Sequence, residues 1–107
     1  MGKFNILEML ILQPPDPINE VELFRHDYRK IAMCESSLNP RAVSRSGKYR
    51  GLFQFDQRSW NWAGGNPEIR PDEASVSEQY ATARSLVQKQ GFARAFPQCA
   101  YKTGVVK

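Results

Sequence analysis

Between residues 18 and 35 an apolar stripe runs along one helical face and ends on a carboxylate. Ile18, Val21, Phe24, Tyr28 and Ile31 follow at intervals of three, three, four and three, the spacing that lines one side of an α-helix. Pro17 suits the first turn of such a helix. One further step of four lands on Glu35. A carboxyl placed against an apolar surface resists ionisation, because burial disfavours its charged form. On the residues alone, a pairing with an arginine is the more ordinary outcome for such a glutamate, and a chemical role is the sharper one.

The stripe needs a surface to pack against, and 107 residues supply one domain. Apolar residues at 41% and charged residues at 24% are close to globular averages, which excludes wholesale disorder. No run reaches the roughly 18 apolar residues of a membrane span. A chain this small buries only about two-thirds of its unfolded surface, so a covalent staple would help it. There are two cysteines, Cys34 and Cys99. They form no CxxC, and the single histidine, His26, cannot complete a four-ligand zinc site, so neither a metal nor another cofactor is expected. As residues, the cysteines read equally as two buried thiols or as one disulfide.

Pro14 and Pro15 close an apolar stretch, residues 4–12, that Glu8 interrupts and no small-x-small cleavage site follows. Residues 1–16 are therefore read as an extension and 17–107 as the domain. After the long helix, Ala42-Val43 and Leu52-Phe53-Gln54-Phe55 suggest two short strands around a turn at 44–48. Asp56 suits the N-cap of a short helix that Gly64-Gly65 would end. Ser75-Val76-Ser77-Glu78 reads as a capping box opening a helix that Gly91 closes. Such a mainly helical α+β chain with one small hairpin makes a cleft where its two parts meet.

Two blocks give that cleft a chemistry. Glu35-Ser36, Asn39-Pro40-x-Ala42-Val43-Ser44 and Gly51-Leu52-Phe53-Gln54 resemble the first two motifs of the soluble lytic transglycosylases. Ile31-Ala32-Met33-Cys34-Glu35-Ser36, Gln90-Gly91-Phe92 and Pro97-Gln98-Cys99 resemble the resuscitation-promoting factor, or transglycosylase-like, domain. Both belong to the lysozyme-like superfamily, and the resemblance covers residues 24 to 100. It implies a lysozyme-like fold, a Cys34–Cys99 disulfide, and an enzyme acting on peptidoglycan glycan strands outside the cytoplasm; a monomer is expected. The chain departs from these families in two places. Ser37 and Leu38 stand where the resuscitation-promoting domain has glycines, and Ala100-Tyr101-Lys102 only echoes a third, Ala-Tyr-Asn-type motif.

The resemblance makes Glu35 the catalytic acid, which must stay protonated near neutral pH to serve a poor leaving group. The same carboxyl would then act as base, closing a 1,6-anhydro ring. Gln54 matches the motif glutamine, whose amide can both donate to and accept from a sugar. Tyr49, Gly51, Trp60 and Ser44 are the further substrate-binding candidates. Ser36 is expected to orient the loop after the helix. A hydrolytic muramidase would need a second carboxylate, and Asp56 is nearest in sequence, although it reads better as an N-cap. A non-catalytic glycan-binding module is the other alternative. The charge of +4, with Arg41, Arg45, Lys48, Arg50 and Arg58 near aromatics, also suits single-stranded nucleic acid. Such a cluster is ordinarily an exposed hairpin face, and an anionic wall polymer attracts the same charge, so nucleic acid is not the expected partner.

Overall fold

The computed structural model describes residues 26–107. The expectations for the extension over 1–16, for Pro17, and for Ile18, Val21 and Phe24 lie outside the described residues, as does the side chain of His26. Helix α1 (His26–Ser36) buries Ile31 and Ala32 completely. Tyr28 meets Tyr80 edge-on, with ring centroids 5.1 Å apart, and Phe92 at 5.2 Å. The i, i+3 part of the apolar stripe thus does what its spacing predicts.

Two residues in the left-handed region stop α1, Ser37 (φ 57°) and Leu38 (φ 64°). The Ser37 N–H donates to the Met33 carbonyl at 3.0 Å, a termination usually built with glycine. The two serine and leucine side chains therefore keep the backbone shape that glycines would allow, at a conformational cost.

The expected hairpin survives as single antiparallel bridges, Val43 to Arg50 and Arg50 to Phe55. Its turn closes through the Gly47 N–H on the Ser44 carbonyl at 2.8 Å. Residues 52–55 do not form the anticipated strand. Gly51 (φ 86°) and Gln54 (φ 52°) curl them into a turn, which lets the consecutive side chains of Leu52 and Phe53 both be buried. An extended strand would have sent those two to opposite faces.

Helix α2 (Gln57–Trp62) is capped by Asp56, whose carboxylate accepts from the Ser59 N–H at 2.7 Å. Helix α3 (Val76–Ala95) starts with the expected Ser75–Glu78 capping box and breaks its helical geometry at Gly91 (φ 83°). Helix α4 (Cys99–Lys102) follows. The Cys34–Cys99 disulfide joins α1 to α4 across 65 residues of sequence. The core lies among α1, α3 and the 52–55 turn, with Ile31, Leu52, Phe53, Leu86, Phe96 and Ala100 buried. This is the mainly helical α+β arrangement of a lysozyme-like domain, with little strand and one staple. Among the described residues no helix is long and apolar enough to cross a membrane.

The left-handed pair after α1 yields a test of stability. Left-handed geometry costs a non-glycine residue about 1–2 kcal/mol, against about 0.5–1 kcal/mol for the extra chain freedom of glycine. Ser37 is exposed, whereas Leu38 packs on the core. Ser37→Gly should therefore stabilise the domain by roughly 0.5–1 kcal/mol, while Leu38→Gly should destabilise it. Urea unfolding of the two variants measures both signs.

Candidate active site

Glu35 is the last residue but one of α1 and is half-buried. Cys34 on one side of it is covalently tied to Cys99. Ser36 on the other side donates its hydroxyl to the Leu52 carbonyl at 2.8 Å and the Ala32 carbonyl at 3.1 Å, and accepts from the Asn39 N–H at 3.2 Å. Ser36 is thus a positioning residue that pins the end of α1 to the 52–55 turn. The helix end cannot swing outward without breaking one of these attachments.

The Glu35 side chain faces a groove of about 390 Å³. Tyr49 and Gln54 form one part of its lining, Phe53 and Phe96 another, and the segment from Ala95 to Gln98 the rest. Phe53 and Phe96 lie with ring centroids 5.9 Å apart, an apolar floor beside the carboxyl. Burial pushes the Glu35 carboxyl up to about 7, and the Lys102 ammonium pulls it back down. The negative end of α1 acts in the same direction as burial. A carboxyl poised near 7 can hold a proton at neutral pH and release or reclaim it.

The Gln54 side chain reaches the groove because its own backbone is left-handed. Its Nε2 donates to the Gly51 carbonyl at 3.0 Å, which leaves Oε1 as the amide's acceptor. Tyr49 is exposed and lines the groove. Ser44 does not line it. The Ser44 Oγ accepts from the Tyr49 N–H at 3.0 Å, and its own N–H donates to the Tyr49 carbonyl at 2.8 Å, so it holds Tyr49 in place.

Two further candidates are elsewhere. Gly51 is buried and does not line the groove, and a Cβ there would fall 2.5 Å from the Gln79 Oε1, so its lack of a side chain makes room for the Gln79 amide. Trp60 is wholly buried, with Nε1 donating to the Asn66 carbonyl at 2.9 Å. It is a core residue and offers no stacking surface, because the short α2 can seat only one of its two tryptophans and Trp62 is the one left outside.

Three contributors escaped the reading of the sequence. Phe53 edges the groove although it looks like plain core. The segment from Ala95 to Gln98 forms a wall, which the Cys34–Cys99 pairing could have signalled, since residues just before Cys99 must then lie near Glu35. Gln79 is buried, accepts from the Leu52 N–H at 2.7 Å and donates to the Pro40 and Ala74 carbonyls at 3.1 and 3.0 Å. Nothing in its local sequence distinguishes it from a surface helix residue.

A larger cleft, of about 610 Å³, is lined by the flanking Lys48 and Arg50.

The raised Glu35 fixes a sign for stability against pH. Its folded value lies above its unfolded one, so its contribution is most favourable below about 4.5 and is lost as pH rises toward 7. Glu35→Gln should therefore raise the melting temperature at pH 8 and leave it nearly unchanged at pH 4. Thermal unfolding followed by circular dichroism at the two pH values checks this.

The groove and its carboxyl can be set beside known proteins. The model of the transglycosylase-like domain family matches residues 24–99, a span that includes every groove residue named above. The resuscitation-promoting factor RpfC of Mycobacterium tuberculosis is 37% identical over 75 residues, covering 70% of this chain and 51% of that protein. The chain thus spans about half the length of this curated relative. The family-model match spans Glu35, both cysteines and the turn bearing Gln54, and by it this chain belongs to the transglycosylase-like domain family.

Proposed function

We propose that the domain is a peptidoglycan lytic transglycosylase that cleaves the β-1,4 bond between N-acetylmuramic acid and N-acetylglucosamine. The observation that carries this reading is a half-buried Glu35 raised to about 7 inside a groove. In the first step Glu35 gives its proton to the glycosidic oxygen as the C1–O bond breaks and the ring takes on oxocarbenium character. The substrate's N-acetyl group can assist, an exception to the scheme that uses two carboxylates. The Glu35 carboxylate then accepts the proton of the C6 hydroxyl while that oxygen bonds to C1. A 1,6-anhydro ring closes, and Glu35 is again protonated.

One feature favours this over hydrolysis. Among the described residues lining the groove, Glu35 is the only carboxylate, and an inverting or retaining hydrolase ordinarily uses two. Asp56, the nearest rival in sequence, is engaged as the α2 cap. In this reading Gln54 accepts from an acetamido N–H or hydroxyl through Oε1, and the Tyr49 ring lies against a pyranose face. The disulfide suits an oxidising compartment outside the cytoplasm, where the glycan would be met.

Digestion of purified peptidoglycan, with product ends analysed by mass, should give anhydromuramic ends from the wild type and none from Glu35→Gln. Reducing ends in their place would make the domain a hydrolase, and no cleavage would make it a binding module. Turnover should decline as pH rises through about 7, because the acid loses its proton there. Lys102→Met should move that decline to higher pH, since it removes the charge that favours the carboxylate. Gln54→Ala should raise KM about tenfold with a smaller effect on kcat, corresponding to about 1.4 kcal/mol of lost binding.

A further inference from the structure

The turn that carries Tyr49 also presents Lys48 and Arg50, which line the second and larger cleft together with Asp56, Arg58 and Arg70. Two of these charged groups are already engaged. Asp56 caps α2, and Arg50 pairs with Asp72 at 3.2 Å while its Nε donates to the Gly47 carbonyl at 3.0 Å. Lys48, Arg58 and Arg70 remain, all exposed. Among the described residues none of the three lies in an ion pair, the only such pair being Arg50–Asp72. The cleft is therefore a basic concavity whose one lining carboxylate is engaged internally.

It meets the groove at neighbouring residues of one turn, Lys48 lining the cleft and Tyr49 the groove. The Lys48 ammonium lies 5.4 Å from the centre of the Tyr49 ring, and Tyr49 lines the groove. A cation of the cleft thus rests on the aromatic wall of the groove. Guanidinium forks suit planar carboxylates.

We propose that this cleft binds the carboxylates of the peptide stems borne by the strand whose sugars occupy the groove. The inference rests on the proposed function, since it takes a peptidoglycan strand to be the occupant of the groove. A stem passing Tyr49 meets Lys48 beside that ring, in the cleft that Arg58 and Arg70 also line. The substrate supplies this anion itself, with no second polymer required.

The test uses the full chain carrying Glu35→Gln, so that binding is read without cleavage. Sedimentation is compared on intact peptidoglycan, on peptidoglycan whose stems have been removed by an amidase, and on peptidoglycan freed of wall phosphodiester polymers. Adding Lys48→Gln, Arg58→Gln and Arg70→Gln removes the cleft charges, and adding Arg29→Gln, Lys30→Gln and Lys107→Gln removes the same number elsewhere. The expected result is about tenfold tighter binding to intact than to stem-free material, abolished by the cleft substitutions and kept by the matched set. Equal loss with both sets would reduce the effect to net charge and overturn the proposal. A loss that follows removal of the phosphodiester polymer and not of the stems would overturn it in favour of that polymer. Binding to stem-free glycan with no preference for stems would sink the cleft alone, whereas no binding to any of the three would sink the proposed function as well.

Discussion

The structure depends on how the end of α1 is held. Glu35 has a covalent bond on the residue before it, through Cys34 to Cys99, and a hydrogen bond on the residue after it, from Ser36 to the Leu52 carbonyl. Together these fix a helix end that would otherwise fray, since the last carbonyls of a helix lack internal partners. A cross-link closing so long a loop stabilises by roughly 4 kcal/mol in the chain-entropy picture. That contribution helps offset two unfavourable features beside it, a desolvated carboxyl and a run of left-handed residues.

Those left-handed residues are not scattered. Ser37 and Leu38 stop the helix that carries Glu35, and Gln54 turns its side chain into the same groove. Strained backbone of this kind persists only where the surroundings over-determine it. Here the surroundings are the Ser36 hydroxyl, the Gln79 amide and the buried Leu52 and Phe53. Gln79 deserves the comparison with Ser36, because both bind the 52–55 turn through Leu52, one at its carbonyl and the other at its N–H. The turn is thereby suspended between α1 and α3, with Gln54 at its exit.

Placing the groove between the end of α1 and the residues just before Cys99 also explains how a carboxyl can be desolvated without being sealed. Phe53 and Phe96 withdraw water from beneath it, while Tyr49 and Gln54 leave the groove open to a ligand. Tyr101, in the echo of a third motif, is exposed and is not among the residues lining the groove. The charge that does bear on Glu35 comes from its neighbour, Lys102.

Local patterns alone determined the starts of α2 and α3 and the place of Glu35 on the stripe of α1. Asp56 and Ser75 cap α2 and α3 because a short side-chain oxygen satisfies the free N–H groups within a single turn, a purely local matter. The step from Ile31 to Glu35 is likewise a property of helical periodicity. Tertiary structure decided the rest. Whether Trp60 faced a sugar or the core, whether residues 52–55 ran straight or curled, and whether Gly51 met a ligand or Gln79 all turned on neighbours distant in sequence. Burial and close approach are set by packing across the fold, and a local pattern carries no record of which surface will arrive to cover it.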